Sequence, residues 1–267
     1  PGGRRRTRDS GADTERIRRF GAAYAARPMI EARGLSKRFG ALTVLREVNL
    51  VIVPGRITAI LGPNGAGKTT FLKMILGLTR PGGGTLLFDG APVNGDCRYR
   101  ARIGYMPQLA RFPENLTGRE LIAMVRDLRG ATDAGDDELI GAFALEPQLD
   151  KRLRTLSGGT RQKINAVLAV LFRPELLILD EPTAGLDPVA SSVLKDKILT
   201  LRGEGRTCLI TSHVLSEMEE LADDVVFLLD GRVRFSGSIA DLMASTRQAT
   251  LERAVAELMR RGTGAAA

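Results

Sequence analysis

The sequence predicts an α/β fold in which a mainly parallel sheet is flanked by helices. Short apolar strands alternate with amphipathic helices through residues 175–229, an order typical of such sheets. A glycine-rich loop at residues 62–69 follows one apolar strand and opens a helix. A second glycine-containing turn, at residues 157–159, opens another helix, and an acidic pair ends the strand that follows it.

The predicted elements follow one another along the chain. Apolar runs predict strands at residues 29–32, 48–53, 56–61, 85–88, 103–106, 175–180, 207–212 and 225–229. Helical spacing of apolar residues predicts helices at residues 69–78, 160–172, 188–203, 214–222 and 249–261, with two more between 114 and 150. A turn-rich connection is expected between the first two strands, around Gly34 and Gly40.

Composition divides the chain into three parts. Residues 1–27 are rich in Arg, Gly and Ala without sustained apolar periodicity, so we expect a disordered leader. Residues 28–245 form the predicted folded domain, and residues 246–267 form a C-terminal helix and tail. Met29 stands directly before the first strand and is a candidate for the biological start.

Charge and cysteine content exclude several classes of function. The net charge is +8, but residues 1–30 hold eight arginines and only three acidic residues, so the rest of the chain is weakly basic and gives little indication of nucleic-acid binding. Trp is absent and aromatics make up 4%, which argues against stacking platforms for single-stranded nucleic acid.

Cys97 and Cys208 lack the spacing of a disulfide framework or a zinc site. No apolar run approaches the roughly 18–20 residues that span a bilayer, so any membrane path would belong to another chain.

The loop at residues 62–69 has the spacing of a phosphate-binding loop. Its glycines let the backbone wrap closely around an anion, and the helix that follows points N–H groups at it. Lys68 can reach the β- and γ-phosphates of ATP, and Thr69 offers a hydroxyl to Mg²⁺. The predicted ATP-binding residues here are Gly62, Pro63, Asn64, Gly65, Ala66, Gly67, Lys68, Thr69 and Thr70.

Carboxylates end the apolar strand at residues 175–180. A strand buried on both faces delivers ligand-binding groups at its carboxyl end. Asp180 is therefore predicted to hold Mg²⁺, and Glu181, which faces differently, to polarise the attacking water. His213 ends the next strand; a packed or solvated structural histidine is the alternative interpretation.

The turn at Ser157, Gly158 and Gly159 links these motifs. Placed between the phosphate loop and the acidic pair, it resembles the Leu-Ser-Gly-Gly-Gln signature of the ATP-binding cassette (ABC) ATPases, with Thr160 in place of Gln. The resemblance covers residues 29–245 approximately. It implies a P-loop NTPase cassette with an antiparallel β subdomain and a helical signature subdomain at about residues 109–158.

The resemblance also implies roles for single residues. Glu181 would be the general base, His213 a switch histidine that contacts the γ-phosphate and the base, and Gln108 a loop glutamine that touches Mg²⁺ and the attacking water. Phe39 matches an aromatic that stacks on adenine, although a core Phe near a turn remains the alternative. The implied catalytic set is Lys68, Gln108, Glu181 and His213, and the implied metal set is Thr69, Gln108 and Asp180.

Partners follow from the resemblance as well. Ser157, Gly158 and Gly159 would grip ATP, but no second phosphate loop exists in the chain to receive them. The family arrangement is a head-to-tail dimer of two cassettes with two ATP at the seam, in which Asp187 meets the partner. A separate transmembrane permease would dock after Gln108, from about Arg111 onward, which places the chain peripherally on the cytoplasmic face of the membrane.

A finer resemblance points to one transport role. Residues 156–163, 194–198 and 219–231 look like the ATPases that accompany copper-site maturation of nitrous oxide reductase, in the exporter-type permease class. An alternative is a non-transport ABC ATPase acting on nucleic acid. Only about 90 residues separate Lys68 from Ser157, without sustained heptads, which disfavours the coiled-coil insertion of that class, and we expect no nucleic-acid partner. A catalytically silent regulator is a third hypothesis, disfavoured by the intact predicted catalytic residues.

Overall fold

A computed structural model describes residues 27–93, 95–130 and 135–263 of the chain. The strands in these ranges are β1 (Ile30–Phe39), β2 (Leu42–Ile52), β3 (Ile57–Leu61), β4 (Gly83–Phe88), β5 (Ala91–Pro92), β6 (Ile103–Met106), β7 (Leu176–Asp180), β8 (Thr207–Thr211), β9 (Asp224–Leu229) and β10 (Arg232–Ser238). The α-helices are α1 (Lys68–Ile75), α2 (Gly118–Arg129), α3 (Glu138–Ala142), α4 (Glu146–Leu149), α5 (Gly158–Val170), α6 (Pro188–Gly203), α7 (Leu215–Leu221), α8 (Ile239–Thr246) and α9 (Leu251–Thr263). Single 3₁₀ turns cover Arg98–Arg102 and Leu153–Thr155.

Two sheets form the framework. The larger one has the strand order β10-β9-β3-β8-β7-β6, with parallel pairing throughout except between β9 and β10. The smaller one has the order β2-β1-β4-β5 and is antiparallel. The predicted fold class, a mainly parallel sheet with an antiparallel β subdomain and helices, is therefore confirmed.

Strand β3 shows why the central strands read as continuous apolar runs. Ile57, Ala59 and Leu61 pack into one core with helices α5–α7 and the helical subdomain. Ile60, which points the other way, joins a second core with α1 and the antiparallel sheet. Both faces of the strand are thus covered, and both exclude water. The loop that leaves β3 at Leu61 is held from both sides.

The first hairpin differs from the sequence-based expectation. The predicted turn-rich connection around Gly34 is strand instead, because β1 continues to Phe39 and pairs with β2 across register shifts between Ala32, Leu35 and Lys37. Gly34 adopts φ +59°, so one bulge absorbs the residue that the sequence indicated as a turn. Only the Gly40 position turns the chain.

The helical subdomain also differs in one respect. The second helix predicted before residue 150 is split into α3 and α4, because Ala144 between them adopts a left-handed φ of +50°. Helix α2 matches the first predicted helix and begins with a capping box between Thr117 and Glu120.

A buried lysine ties this subdomain to the parallel-sheet core. Lys197 on α6 is 5% exposed, and its Nζ lies 2.8 Å from Asp136 and 2.6 Å from Glu138. Arg126 on α2 pairs with Asp137 in the same segment, at 2.6 Å. These pairs hold the segment at residues 136–138 against α2 and α6.

The chain ends are described in part. Helix α9 packs on α7 and α8, and Leu251, Ala254 and Val255 enter the main core. The predicted disordered leader lies outside the described residues except for Arg27. In the three described ranges, no helix is long and apolar enough to cross a bilayer.

Candidate functional site

The phosphate loop connects β3 to α1, as predicted. Gly62, Gly65 and Gly67 adopt φ values of +147°, +81° and +103°, a backbone region that residues with a Cβ rarely occupy. A Cβ on Gly62 would lie 2.2 Å from the Leu228 carbonyl oxygen, and one on Gly67 would lie 2.5 Å from Leu45 Cδ2. Glycine is therefore required at these two positions by the neighbouring strands as well as by the backbone.

Lys68 is oriented by the loop itself. Its Nζ donates to the carbonyl oxygens of Gly62 at 2.6 Å and Pro63 at 3.2 Å. Burial lowers the pKa of the Lys68 ammonium, and the carboxylates of Glu181 and Asp180 oppose that shift only in part. A polyphosphate in the loop would supply the negative charge that this buried cation lacks.

A cavity of about 600 Å³ collects most of the predicted site residues. It is lined by Leu42, Val44, Asn64, Gly65, Ala66, Gly67, Lys68, Thr69, Thr70, Gln108, Asp180, Glu181 and His213. The phosphate loop, the end of β7, the end of β8 and the loop after β6 thus converge on one space, although Gln108 and Glu181 lie far apart in sequence.

The carboxyl end of β7 presents its two acids differently. Asp180 is 6% exposed, and its Oδ1 accepts the hydroxyl hydrogen of Thr211 on β8 at 2.5 Å. Glu181, one residue on, leaves the strand with φ +52°. Its N–H donates to the Thr211 carbonyl at 3.0 Å and to the Thr211 hydroxyl at 3.2 Å. The left-handed backbone conformation of Glu181 turns its own side chain away from Asp180.

His213 contacts the Glu181 carboxylate twice. Its ring Nδ1 lies 2.7 Å from Glu181 Oε2, and its backbone N–H donates to the same oxygen at 3.2 Å. The Glu181 side chain is 12% exposed, whereas that of His213 is 75% exposed. A buried carboxylate is thereby held at the cavity edge by an accessible imidazole, which is the geometry expected of a base and its orienting partner.

The residues predicted for Mg²⁺ fit that ion. Thr69, Gln108 and Asp180 line the same cavity and carry hydroxyl, amide and carboxylate oxygens, the hard donors that Mg²⁺ prefers. Within the described ranges, no group of three or more His, Cys, Asp or Glu side chains could hold a metal. One carboxylate with a hydroxyl suits an ion that keeps waters and takes its other ligands from substrate phosphates.

Phe39 lies outside the lining of this cavity. It stands at the end of β1, is 51% exposed, and has Lys37 Nζ 4.9 Å from its ring centroid. Leu42 and Val44, on the next strand, line the cavity instead. The sequence did not single them out, because two aliphatic residues in a strand carry no motif.

The signature turn is separate from that cavity. Ser157, Gly158 and Gly159 are absent from its lining, and Ser157 lies instead beside a second cavity of about 340 Å³ with Thr160 and Lys163. The Ser157 hydroxyl caps α5 by accepting the Thr160 N–H at 3.1 Å. The serine therefore caps this helix, and Thr160 is the third residue of the helix.

The signature helix contacts the loop that follows Glu181. Lys163 Nζ on α5 lies 3.1 Å from Asp187 Oδ2, and Asp187 caps α6 by accepting the Ala190 N–H at 2.8 Å. The N–H of Ala190 and the Lys163 ammonium lower the pKa of the Asp187 carboxyl. A Cβ on Gly159 would lie 3.0 Å from the Gly185 carbonyl oxygen, so the two segments touch closely.

Comparisons with known proteins show the family of the chain. The family model described as "ABC transporter" matches residues 45–184. The chain belongs to the ABC transporter family. A Nod factor export ATP-binding protein I of Burkholderia lata is 36% identical over 221 residues, covering 81% of this chain and 73% of that protein. A lantibiotic transport ATP-binding protein SrtF of Streptococcus pyogenes is 34% identical over 206 residues, covering 77% and 89%.

Solved structures place the fold in the same family. A structure described as the ATP-binding subunit of an ABC transporter superimposes with a TM-score of 0.82 at 32% identity, covering 86% of this chain and 99% of that one. The chain is thus an ABC ATPase, which binds ATP and couples its hydrolysis to transport.

The contacts that two residues of this ABC ATPase make were not predicted. Thr211 bonds both acids at the end of β7, and Lys163 joins the signature helix to Asp187. Thr211 carried one signal in the sequence, a polar residue ending an apolar strand two residues before the only histidine.

Proposed function

We propose that this ABC ATPase is the energy-coupling subunit of an exporter and acts on a separate membrane permease. The observation that carries the proposal is the single cavity that joins Lys68, Asp180, Glu181 and His213. Export is supported by the relatives described above, whose names refer to Nod factor export and lantibiotic transport.

The proposed hydrolysis uses the cavity residues in separate roles. Lys68 binds the β- and γ-phosphates, and the glycine-loop N–H groups surround them. Mg²⁺, when bound by Thr69 and Asp180, would neutralise charge on the phosphates. The Glu181 carboxylate, held by His213, accepts a proton from the attacking water.

Two copies are required for a complete site in this proposal. Ser157 and the signature helix N-terminus form a phosphate-binding surface, but they lie outside the cavity of their own chain. Head-to-tail pairing would bring this surface over the ATP of the second copy, with both Asp187 loops at the seam. ATP would then join the two chains, and hydrolysis would release them.

Replacing the base tests the hydrolytic part. We expect Glu181→Gln to bind ATP, to hydrolyse it at least about 100-fold more slowly, and to form a stable ATP-dependent dimer in sedimentation velocity. The matched control is Glu252→Gln, since Glu252 is exposed on α9, away from the cavity. An ATP-saturated Glu181→Gln protein that stays monomeric would overturn the dimer, and unchanged turnover would overturn the base.

The permease contact is proposed for the surface after Gln108. Leu109 is 79% exposed and directly follows Gln108, so apolar surface lies next to a residue of the ATP cavity. Co-expression with a candidate exporter permease tests this. Leu109→Ser should lower recovery of the ATPase with membranes and leave its ATPase activity in solution unchanged, whereas Leu199→Ser, on the exposed side of α6, should change neither.

Copper-site maturation is a narrower proposal. It rests on the resemblance of residues 156–163, 194–198 and 219–231 alone, and the relatives described above carry other names. A gene neighbourhood with a periplasmic copper-handling protein, together with loss of the copper centre of nitrous oxide reductase on deletion of this gene, would support it. Normal copper loading in that deletion strain would exclude it.

A further inference from the structure

We infer that Thr211 is a positioning residue that sets both the metal-binding and the base-bearing side of the site through one hydroxyl. The inference deepens the proposed function, because it rests on the proposed roles of Asp180 and Glu181. Thr211 itself does not line the ATP cavity.

The hydroxyl lies between two neighbouring strands. Thr211 pairs with Asp180 at the matched ends of β8 and β7, and it is 0% exposed. An ionised carboxylate can only accept, so the Thr211 hydrogen must point to Asp180 Oδ1, 2.5 Å away. The hydroxyl oxygen is then left to accept the Glu181 N–H at 3.2 Å.

This arrangement engages one of the two Asp180 carboxylate oxygens. With Oδ1 bonded to Thr211, Oδ2 would be left to hold an ion, and Thr69 lines the same cavity as Asp180. Because threonine is β-branched, its χ1 is restricted and the hydroxyl direction is stiff. Hydrogen bonds of this kind to a ligating carboxylate typically change metal affinity by about 10- to 100-fold.

The same hydroxyl supports the unusual backbone of Glu181. A left-handed conformation is strained for a non-glycine residue such as Glu181, so it persists only where its surroundings hold it. The Glu181 N–H is shared between the hydroxyl and the carbonyl of Thr211. Thr211 therefore holds the conformation that directs the Glu181 carboxylate to His213.

The chain offers a matched control one strand away. Thr58 on β3 is 2% exposed, and its hydroxyl has no hydrogen-bond partner among the described residues. Strand β3 pairs with β8, so both threonines lie in the same sheet. Thr58→Val and Thr211→Val thus make the same isosteric change in the same core, and only the second removes bonds to the site.

The experiment measures how much Mg²⁺ strengthens nucleotide binding. The dissociation constant of the β,γ-imido analogue of ATP is determined with excess Mg²⁺ and with EDTA, and the ratio gives the metal-dependent gain. For Thr211→Val we expect the EDTA value to stay unchanged and the gain to fall about 10-fold or more. Thr211→Ser and Thr58→Val should keep the gain within about threefold of the native chain.

The outcomes separate the two levels of the proposal. If Asp180→Ala keeps the native gain, the proposed metal role of Asp180 is wrong. If Asp180→Ala loses it but Thr211→Val keeps it within twofold of Thr58→Val, the inference on Thr211 is overturned. Should Thr211→Val not fold in a thermal scan, Thr211→Ala against Thr58→Ala carries the same comparison.

Discussion

Glu181 Oε2 accepts the backbone N–H of His213 at 3.2 Å and lies 2.7 Å from the ring Nδ1 of the same residue. One residue therefore orients this carboxylate by two independent contacts. The ring contact can be removed by mutation, whereas the backbone contact cannot.

We expect His213→Ala to lower the ATPase rate at least about 100-fold, because the remaining N–H contact leaves the carboxylate free to rotate. The nucleotide dissociation constant should change by less than about fivefold, since Lys68 and the glycine loop remain. Steady-state turnover and equilibrium binding of a fluorescent ATP analogue measure the two effects. A turnover within tenfold of native would contradict the role of the imidazole.

The pKa of Lys68 predicts the pH dependence of ATP binding. Burial favours the neutral amine, so its pKa lies below the ordinary value, and the free protein loses this charge at a lower pH than an ordinary lysine would. The protonated form attracts the triphosphate, so affinity should be constant below that pKa and should fall as pH rises through it.

Lys68→Arg is the control for this pH profile, because a guanidinium stays charged across the range. Its affinity should be lower than native at neutral pH and flat toward alkaline pH. Equilibrium dialysis of ATP between pH 7 and 10 would show the difference, and parallel profiles for the two proteins would exclude Lys68 as the titrating group.

We expect substitution of the Thr160 hydroxyl to change dimer formation without changing nucleotide binding by the monomer. Its hydroxyl lies 2.8 Å from the Ser157 hydroxyl, which fixes the direction of the group proposed to contact the partner's ATP. In the Glu181→Gln background, Thr160→Val should weaken ATP-dependent dimerisation about fivefold, the value of roughly one hydrogen bond.

Thr160→Ser retains the hydroxyl and should dimerise like the parent. Nucleotide binding by the monomer should be the same in both variants, because the signature lies outside the cavity of its own chain. Sedimentation equilibrium with saturating ATP provides the comparison. Equal dimer dissociation constants for the valine and serine variants would remove Thr160 from the site.

Two glycines of the phosphate loop should differ sharply in stability effects. Gly62→Ala places a Cβ 2.2 Å from the Leu228 carbonyl at φ +147°, so we expect a loss of about 3–5 kcal/mol in the free energy of unfolding. Gly65→Ala meets no atom within 4 Å, and only its left-handed φ costs about 1–2 kcal/mol. Urea unfolding measures both, and similar losses would mean that the Leu228 contact is not what requires Gly62.

Local signals in the sequence predicted much of this fold. Helix α6 was predicted with its observed bounds from the helical spacing of its apolar residues, and the structure shows a capping acid, Asp187, followed by Pro188 at its start. The hairpin of β1 and β2 was misjudged because Gly34 marks a bulge, and a bulge and a turn look alike without the partner strand. Strand β10 and helix α8 were not predicted, although Ser238 caps α8.

The residues of the candidate site also divide into those that a local sequence signal marks and those that only the folded structure reveals. Lys68, Asp180 and Glu181 belong to motifs whose residues are adjacent, so spacing alone revealed them. Leu42 lines the cavity, whereas Thr211 and Lys163 contact residues of the predicted site set through strand pairing or helix packing, and no local pattern marks such contacts. The predicted roles of the site residues and the domain boundary at 246 remain predictions.

The bond between Lys163 and Asp187 joins the signature of one site to the loop beyond the base of the other. In the proposed dimer these two ends belong to different ATP molecules. Binding or release of one nucleotide would then affect the other, because a shift of the signature helix at one site would move the hydrolytic loop at the other. The two ATP sites of the dimer would be coupled in time through this one ion pair in each copy.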